Sequence, residues 1–155
     1  MPPRYWPTLI AAAMAAASCA APEPLRVHAY VVRDQAHGGA AVDPMARNEK
    51  LRRLHGAVSM AERKERLGQY YNIRWHHPAG AHQAPVTLTF EYQQGATASK
   101  IKTIRREFPA ELAEGDTEIA IIGEDYFTNG RVLAWRATLR RGEETIATRT
   151  SYLWQ

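Results

Sequence analysis

The feature that most constrains the fold is a strict alternation of apolar and polar residues between positions 86 and 92. The apolar members are Val86, Leu88, Phe90 and Tyr92, and the residues between them are Thr87, Thr89 and Glu91. A period of two is typical of a β-strand that buries one face and exposes the other. Residues 70–77 alternate in the same way, with Tyr71, Ile73 and Trp75 on one side. The pattern predicts that the chain is β structure from Gly68 onward.

Five further segments have the β-branched and aromatic content of strands. They are residues 25–33, 99–108, 117–122, 131–140 and 144–154. The segment 99–108 is rich in Lys and Arg, which suits an edge strand because charge discourages pairing with other chains. The last two segments are predicted to form a hairpin around residues 141–143. Together the segments predict an all-β fold, an immunoglobulin-like β-sandwich of about seven strands, with an open barrel or a lipocalin-like fold as the alternative.

A helical insertion is predicted between the first and second strands, over about residues 45–67. Ser59 and Glu62 have the spacing of a capping box, in which each side chain bonds the backbone N–H of the other residue. We expect a helix from about Met60 to Leu67, followed by Gly68 in the C-cap role. Its apolar stripe is thin, so the helix is expected to pack on an edge or end of the sandwich.

The segments Ile73–Pro78 and Val86–Tyr92 resemble the second and third strands of fibronectin type III domains. Those domains often carry an inward Trp followed by Pro in one strand and an alternating run ending near Tyr in the next. The resemblance covers about 20 residues and implies an immunoglobulin-like sandwich without implying a function. It also places Trp75 and Trp135 in the core, facing each other across the two sheets.

The first eighteen residues have the three parts of a secretory signal. A single charge, Arg4, precedes an apolar run and a small-residue end at Cys19, the one cysteine of the chain. Residues 16–19 resemble the lipobox of bacterial lipoproteins, although Ala16 stands where Leu is usual. The resemblance implies cleavage before Cys19 and acylation of its thiol, giving a signal peptide at 1–18, a lipidated tether at 19–24 and a sandwich domain at 25–155. The alternative is cleavage after Ala17 or Ala20, which yields a soluble secreted protein of the same fold.

The lipobox resemblance also implies a location and a partner. The expected partner is a membrane, reached through the lipid on Cys19. Ala20 after the cysteine, in place of Asp, points to the outer membrane of a bacterial cell envelope, facing the periplasm or the surface. The net charge of +4 arises from basic residues interleaved with Glu. This spread predicts no nucleic-acid partner and suits weak attraction to an anionic membrane surface.

The sequence offers few candidates for chemistry. His76, His77 and His82 are weak candidates for a metal site, because no Cys or acidic ligand lies near them in the sequence. Tyr126 and Phe127, near the turn signal Asn129–Gly130, and Trp154 are candidate contacts for a ligand or partner. No nucleophile or phosphate-binding motif is present, so we expect no catalytic residues, no enzyme activity and no cofactor. The expected role is non-catalytic interaction or assembly at a membrane, with a glycan- or peptide-binding module as the alternative.

Overall fold

The computed structural model of the protein describes residues 23–33, 48, 51–77, 84–97 and 99–154. Its strands form two antiparallel sheets, which confirms the predicted all-β sandwich. The strands are β1 (Leu25–Val32), β2 (Gly68–His76), β3 (Val86–Gln94), β4 (Ile101–Phe108), β5 (Glu114–Ile122), β6 (Val132–Arg141) and β7 (Glu144–Thr150). Short helices accompany the strands: α1 (Met60–Glu65), which lies in the predicted insertion, and α2 (Gly123–Asn129). Residues 51–54 are also helical, and Gly95–Thr97 form one 3-10 turn.

One sheet has the strand order β1-β2-β5 and the other has the order β4-β3-β6-β7. The charged strand β4 lies at an edge, as predicted, and β6 and β7 form the predicted hairpin, with Arg141 paired to Glu144. The sandwich therefore has two distinct ends. The entry end holds Leu25, where β1 begins, and the last residues of β2, β4 and β6. The helical end holds α1 and α2.

The core lies between the sheets and is rich in aromatic side chains. The predicted inward residues of β2 and β3 are all buried. Trp75 packs against Phe108, with ring centroids 5.2 Å apart, whereas Trp135 packs against Tyr71 at 5.9 Å. The prediction that the two tryptophans face each other is wrong, because each one meets a different ring from the opposite sheet.

Two strands bury a different set of residues from the one that alternation alone indicates. In β6, Val132 is buried and Leu133 is exposed, because the register shifts opposite Gln93 and Gln94 and turns the start of β6 over. In β1, Leu25 is buried, but Val31 is exposed and its neighbour Val32 is buried on the opposite face. That face is covered by a second, smaller apolar cluster, which contains Val32, Leu67 and Tyr70 and packs with Tyr30, Leu54 and Ile122.

The capping box predicted at α1 is confirmed. The Glu62 backbone N–H donates to Ser59 Oγ at 3.1 Å, and the Ser59 N–H donates to Glu62 Oε2 at 3.1 Å. The Ser59 N–H, together with the Val58 N–H that also donates to Glu62 Oε2, holds the pKa of Glu62 below its ordinary value. The helix ends earlier than predicted, with Arg66 as its C-cap, and Gly68 is the first residue of β2.

The insertion is fixed to the outer face of the first sheet by Arg53. Its guanidinium carbon lies 4.5 Å from the ring centroid of Tyr70, and its Nη1 donates to Glu118 Oε1 at 2.7 Å. Tyr30 stacks on Tyr70 and accepts a hydrogen bond from Arg53 Nη2 at 2.6 Å. A cation on an aromatic face with a carboxylate at its edge is a strong arrangement when it is partly buried. This contact places α1 next to the start of β2.

Arg141 fills the core at the entry end and is only 3% exposed. Its Nη1 donates to the carbonyls of Ala84 and Ala110, its Nη2 donates to the carbonyl of Leu112, and its Nε donates to His77 Nδ1. A guanidinium has five N–H donors in a rigid planar fork, so it can bond carbonyls from several loops at once. Arg141 thus joins the connections that follow β2 and β4 to the last hairpin.

Candidate functional site

The two helices at the helical end form the candidate site, and α2 is a helix that the sequence did not predict. Tyr126 and Phe127 were expected in a turn, but they lie within α2, and Gly130 ends the helix with φ of 79°. Gly123 begins the helix with φ of 58°, and a Cβ there would meet Glu65 O at 3.1 Å. The Gly123 N–H donates to Leu67 O at 3.0 Å. A glycine is needed here because the backbone is left-handed and passes close to the end of α1.

An open apolar groove lies between the two helices. Its volume is about 330 Å³, and it is lined by Met60, Ala61, Lys64, Leu67 and Phe127. Met60 is 69% exposed and Phe127 is 47% exposed, although both are large apolar side chains. The Lys64 ammonium lies 5.2 Å from the Phe127 ring centroid, which places one positive charge at the rim of the groove. The arrangement suits insertion of an apolar side chain from a partner.

A polar network beneath α2 holds the helix in place. Lys102 Nζ and Asn129 Nδ2 each donate to Asp125 Oδ1 at 2.6 Å. Gln94 is 1% exposed, and its amide nitrogen donates to the carbonyls of Asp125 at 3.2 Å and Gly130 at 3.0 Å. These side chains come from β3, β4 and α2, so sequence proximity gave no sign of the network. It ties α2, which carries Phe127, to strands β3 and β4 of the second sheet.

Two core tyrosines next to this network keep their phenol protons. Burial raises the pKa of Tyr71, and the nearby Tyr126 and Tyr92 raise it further. Burial also raises the pKa of Tyr92, with a smaller contribution from the Asp125 carboxylate. Burial is therefore the main cause of both raised pKa values.

Gln69 makes a contact between the two sheets that the sequence did not indicate. Its Oε1 accepts from the Val132 N–H and its Nε2 donates to the Val132 carbonyl, which joins β2 to the first residue of β6 across the two sheets. The bond falls where the register of β6 shifts, so the backbone groups freed by the irregularity are satisfied by this side chain.

Trp154, the third aromatic candidate, lies apart from the helical groove. The Arg136 guanidinium sits 5.0 Å from its ring centroid, on the outer face of the second sheet. Arg136 is held in turn by Glu91, to which its Nε donates at 2.7 Å, and this bond raises the pKa of Arg136. The structure therefore brings Tyr126 and Phe127 together and leaves Trp154 at a separate position.

The histidine candidates are only partly described. His76 ends β2, and its backbone N–H donates to Pro24 O at 3.0 Å. His77 uses Nδ1 to accept from Arg141, so that nitrogen already has a partner. His82 lies outside the described residues. Within the described ranges no three His, Cys, Asp or Glu side chains are grouped as metal ligands, and metal binding by the 76–82 loop stays a prediction.

Cys19, the predicted acylation site, also lies outside the described residues. No helix in the part of the chain that the structure describes has the length and apolar character needed to cross a bilayer. A scan against models of known protein families returned no match, and searches of curated proteins and of solved structures returned none either. The site must therefore be interpreted from its own geometry.

Proposed function

We propose that the protein is a lipid-anchored lipoprotein of the bacterial envelope whose sandwich docks a protein partner in a non-catalytic assembly role. The anchor in this proposal is Cys19, with the outer membrane as its location. The docking surface is the apolar groove between α1 and α2. The observation that carries the proposal is the placement of this groove at the end of the sandwich opposite the start of β1.

With this placement, the two ends of the sandwich would have different roles. The chain enters the sandwich at Leu25 and the helices lie at the far end of the same strands. Strand β2 connects the ends with nine residues, and its eight steps of about 3.3 Å correspond to about 26 Å. A lipid on Cys19 would hold the entry end near the bilayer, so the groove would face away from the membrane and be accessible to a partner.

The groove has the composition of a small docking surface. Exposed large apolar side chains that share a patch mark interaction sites more often than isolated ones do. Met60 and Phe127 supply such a patch, and Val58, two residues before Met60 in the chain, is also exposed. The Lys64 and Glu65 side chains border the apolar floor and give it a polar rim. A partner that inserts one or two apolar side chains would bury this surface.

A glycan- or peptide-binding module remains the alternative function, with Trp154 as its candidate contact. One face of the Trp154 ring is covered by Arg136. A sugar that stacks on this ring would use the opposite face or displace the arginine. In the helical groove the Lys64 ammonium likewise lies over the Phe127 ring, but Met60 beside it is 69% exposed and adds a second apolar contact, so the groove is the better candidate for a contact surface.

The docking surface can be tested by photo-crosslinking in the producing bacterium. A photoreactive phenylalanine analogue at position 127 should give one defined adduct of higher mass. The same analogue at Thr145, an exposed residue of the last hairpin, serves as the matched control and should give none. Met60→Glu places a charge in the groove and should reduce the adduct at position 127 at least tenfold. Equal adducts at both positions, or insensitivity to Met60→Glu, would contradict the docking surface.

The anchor is tested separately by the intact mass of the exported protein. Acylation should appear as added mass on a mature N-terminus that begins at Cys19. Cys19→Ala should remove that mass and release the protein from the membrane fraction. An unacylated N-terminus beginning at Ser18 or Ala21 would refute the anchor and favour the soluble secreted alternative.

A further inference from the structure

We infer that a basic groove at the entry end binds the headgroups of anionic phospholipids. The inference rests on the proposed function for its membrane, and it assigns that membrane a second contact besides the acyl chains. The groove has a volume of about 690 Å³ and runs along β1. Three arginines from three strands line it: Arg26 of β1, Arg74 of β2 and Arg149 of β7. His28 and Asn72 lie along the same groove.

The positions of these arginines bring like charges close together, which does not favour folding. Arg26 and Arg74 are directly opposite each other in the β1–β2 register. Like charges in such a pair destabilise a sheet. Carboxylates offset part of this repulsion: Asp116 Oδ2 lies 3.1 Å from Arg74 Nη2, and Glu23 pairs with both Arg26 and Arg149. Three guanidinium groups share two carboxylates, so the groove keeps a net positive charge.

These ion pairs are exposed, and they can exchange partners. The side chain of Arg26 is 69% exposed and that of Arg74 is 76% exposed. Exposed pairs contribute little to folding because water and salt screen them. A guanidinium binds a phosphate with two parallel hydrogen bonds, in the same geometry as it binds a carboxylate. A lipid phosphate can therefore replace Glu23 or Asp116 without any rearrangement of the sheet.

The short chain between Cys19 and the groove favours a lipid headgroup over a free phosphate as the ligand, because it keeps the groove near the bilayer. Glu23 follows Cys19 by four residues, and an extended chain spans at most about 3.5 Å per residue. The first wall of the groove thus lies within about 14 Å of the acylated cysteine. Acyl chains in the bilayer would keep the arginines within reach of the headgroup layer. Basic residues this close to an anionic leaflet each contribute about fivefold to binding.

The experiment measures vesicle binding by the mature chain with Cys19→Ser, which has no acyl group. Vesicles of phosphatidylcholine alone are compared with vesicles of equal parts phosphatidylcholine and phosphatidylglycerol. We expect binding to the mixed vesicles only, with a loss as salt is raised. The variant Arg26→Gln, Arg74→Gln, Arg149→Gln should lower the partition coefficient at least tenfold. The matched control, Lys100→Gln, Arg105→Gln, Arg106→Gln, removes the same charge at the opposite sheet edge and should lower it less than threefold.

A second pair of substitutions changes binding in the opposite direction. Glu23→Gln with Asp116→Asn frees the guanidinium groups from their carboxylates, and we expect stronger binding to the mixed vesicles by about threefold or more. A purely structural role for the arginines would give no gain here, and melting temperatures will show that each variant is folded. Equal losses in the groove and control variants, or no gain from the carboxylate variants, would overturn the inference. Since the chain in this assay has no lipid, a failed anchor would appear only in the intact mass of the exported protein.

Discussion

Substituting Gly115 by Ala should destabilise the sandwich, because Trp75 occupies the space where the new methyl group would lie. The two residues are directly opposite in the β2–β5 register. A Cβ on residue 115 would lie 2.5 Å from Trp75 Nε1 and 2.7 Å from its Cε2. Carbon atoms in contact prefer about 3.5 Å or more, so the indole would have to move by about 1 Å. It is fully buried and lies against Phe108, which leaves little room for this movement.

The sign of the stability change distinguishes the clash with Trp75 from the general preference of strands for Ala over Gly. Alanine in a strand interior is favoured over glycine by about 0.5–1 kcal/mol, so without the contact the substitution would stabilise the protein. Overpacking a buried site costs about 1–3 kcal/mol. We therefore expect a net loss of about 1–2 kcal/mol from Gly115→Ala, or roughly 4–8 °C in Tm for a domain of this size. Urea unfolding followed by tryptophan fluorescence measures the free energy of unfolding directly.

Two comparisons isolate the cause. Gly95→Ala is the control, since a Cβ there has no neighbour closer than Leu133 Cδ1 at 3.8 Å, and we expect a change within about 0.5 kcal/mol. In a Trp75→Phe background the smaller ring should make room, so Gly115→Ala should cost less than half of its value in the wild type. That ring replacement removes no hydrogen bond, because Trp75 Nε1 has no acceptor among the described residues. A neutral Gly115→Ala, or an equal cost in both backgrounds, would refute the reasoning.

Three other substitutions test contacts described above. Arg141→Met leaves the carbonyls at the entry end without their donors, and urea unfolding should show a loss of about 2–4 kcal/mol; a loss below about 1 kcal/mol would contradict the role given to this side chain. Gln69→Ala should cost about 1–2 kcal/mol and speed hydrogen exchange at the Val132 amide, whereas unchanged exchange would argue against the inter-sheet bond. Glu62→Gln should lower Tm at neutral pH, because the folded protein lowers the pKa of this carboxyl and gains stability where it is ionised. This stability is present above the ordinary pKa of 4.5 and is lost as the pH falls through the lowered value, so the Tm difference should close in acid; a constant difference would count against the capping box.

The elements that could be predicted from the sequence are those whose signal is local. Period-two alternation identified the buried faces of β2 and β3, and the spacing of Ser59 and Glu62 identified the start of α1. Both patterns involve residues a few positions apart, and their physical cause acts over the same range. The charged sequence of β4 likewise indicated its edge position, because charge at an edge is a property of the strand itself.

The parts that could not be predicted depend on residues far apart in the chain. Val132 is buried in place of Leu133 because of a register shift, which alternation within β6 does not reveal. Helix α2 has seven residues and ends in Asn-Gly, so its sequence is indistinguishable from that of a turn. Of the candidate contacts, Phe127 is exposed beside Met60 only because Gly123 brings α2 against α1. The groove could therefore not be predicted from the sequence, although Phe127 was predicted as a contact residue.

The contact between the first and last strands has a consequence for the order in which the protein folds. Arg149 Nε donates to the carbonyl of Leu25 at 3.1 Å, and the same side chain pairs with Glu23. Synthesis proceeds from the N-terminus, so β1 must wait for almost the whole chain before this partner exists. Contacts of such long sequence separation slow folding. A chain arrested before β7 would leave the edge of β6 unpaired, and that edge would be open to proteases and to other chains.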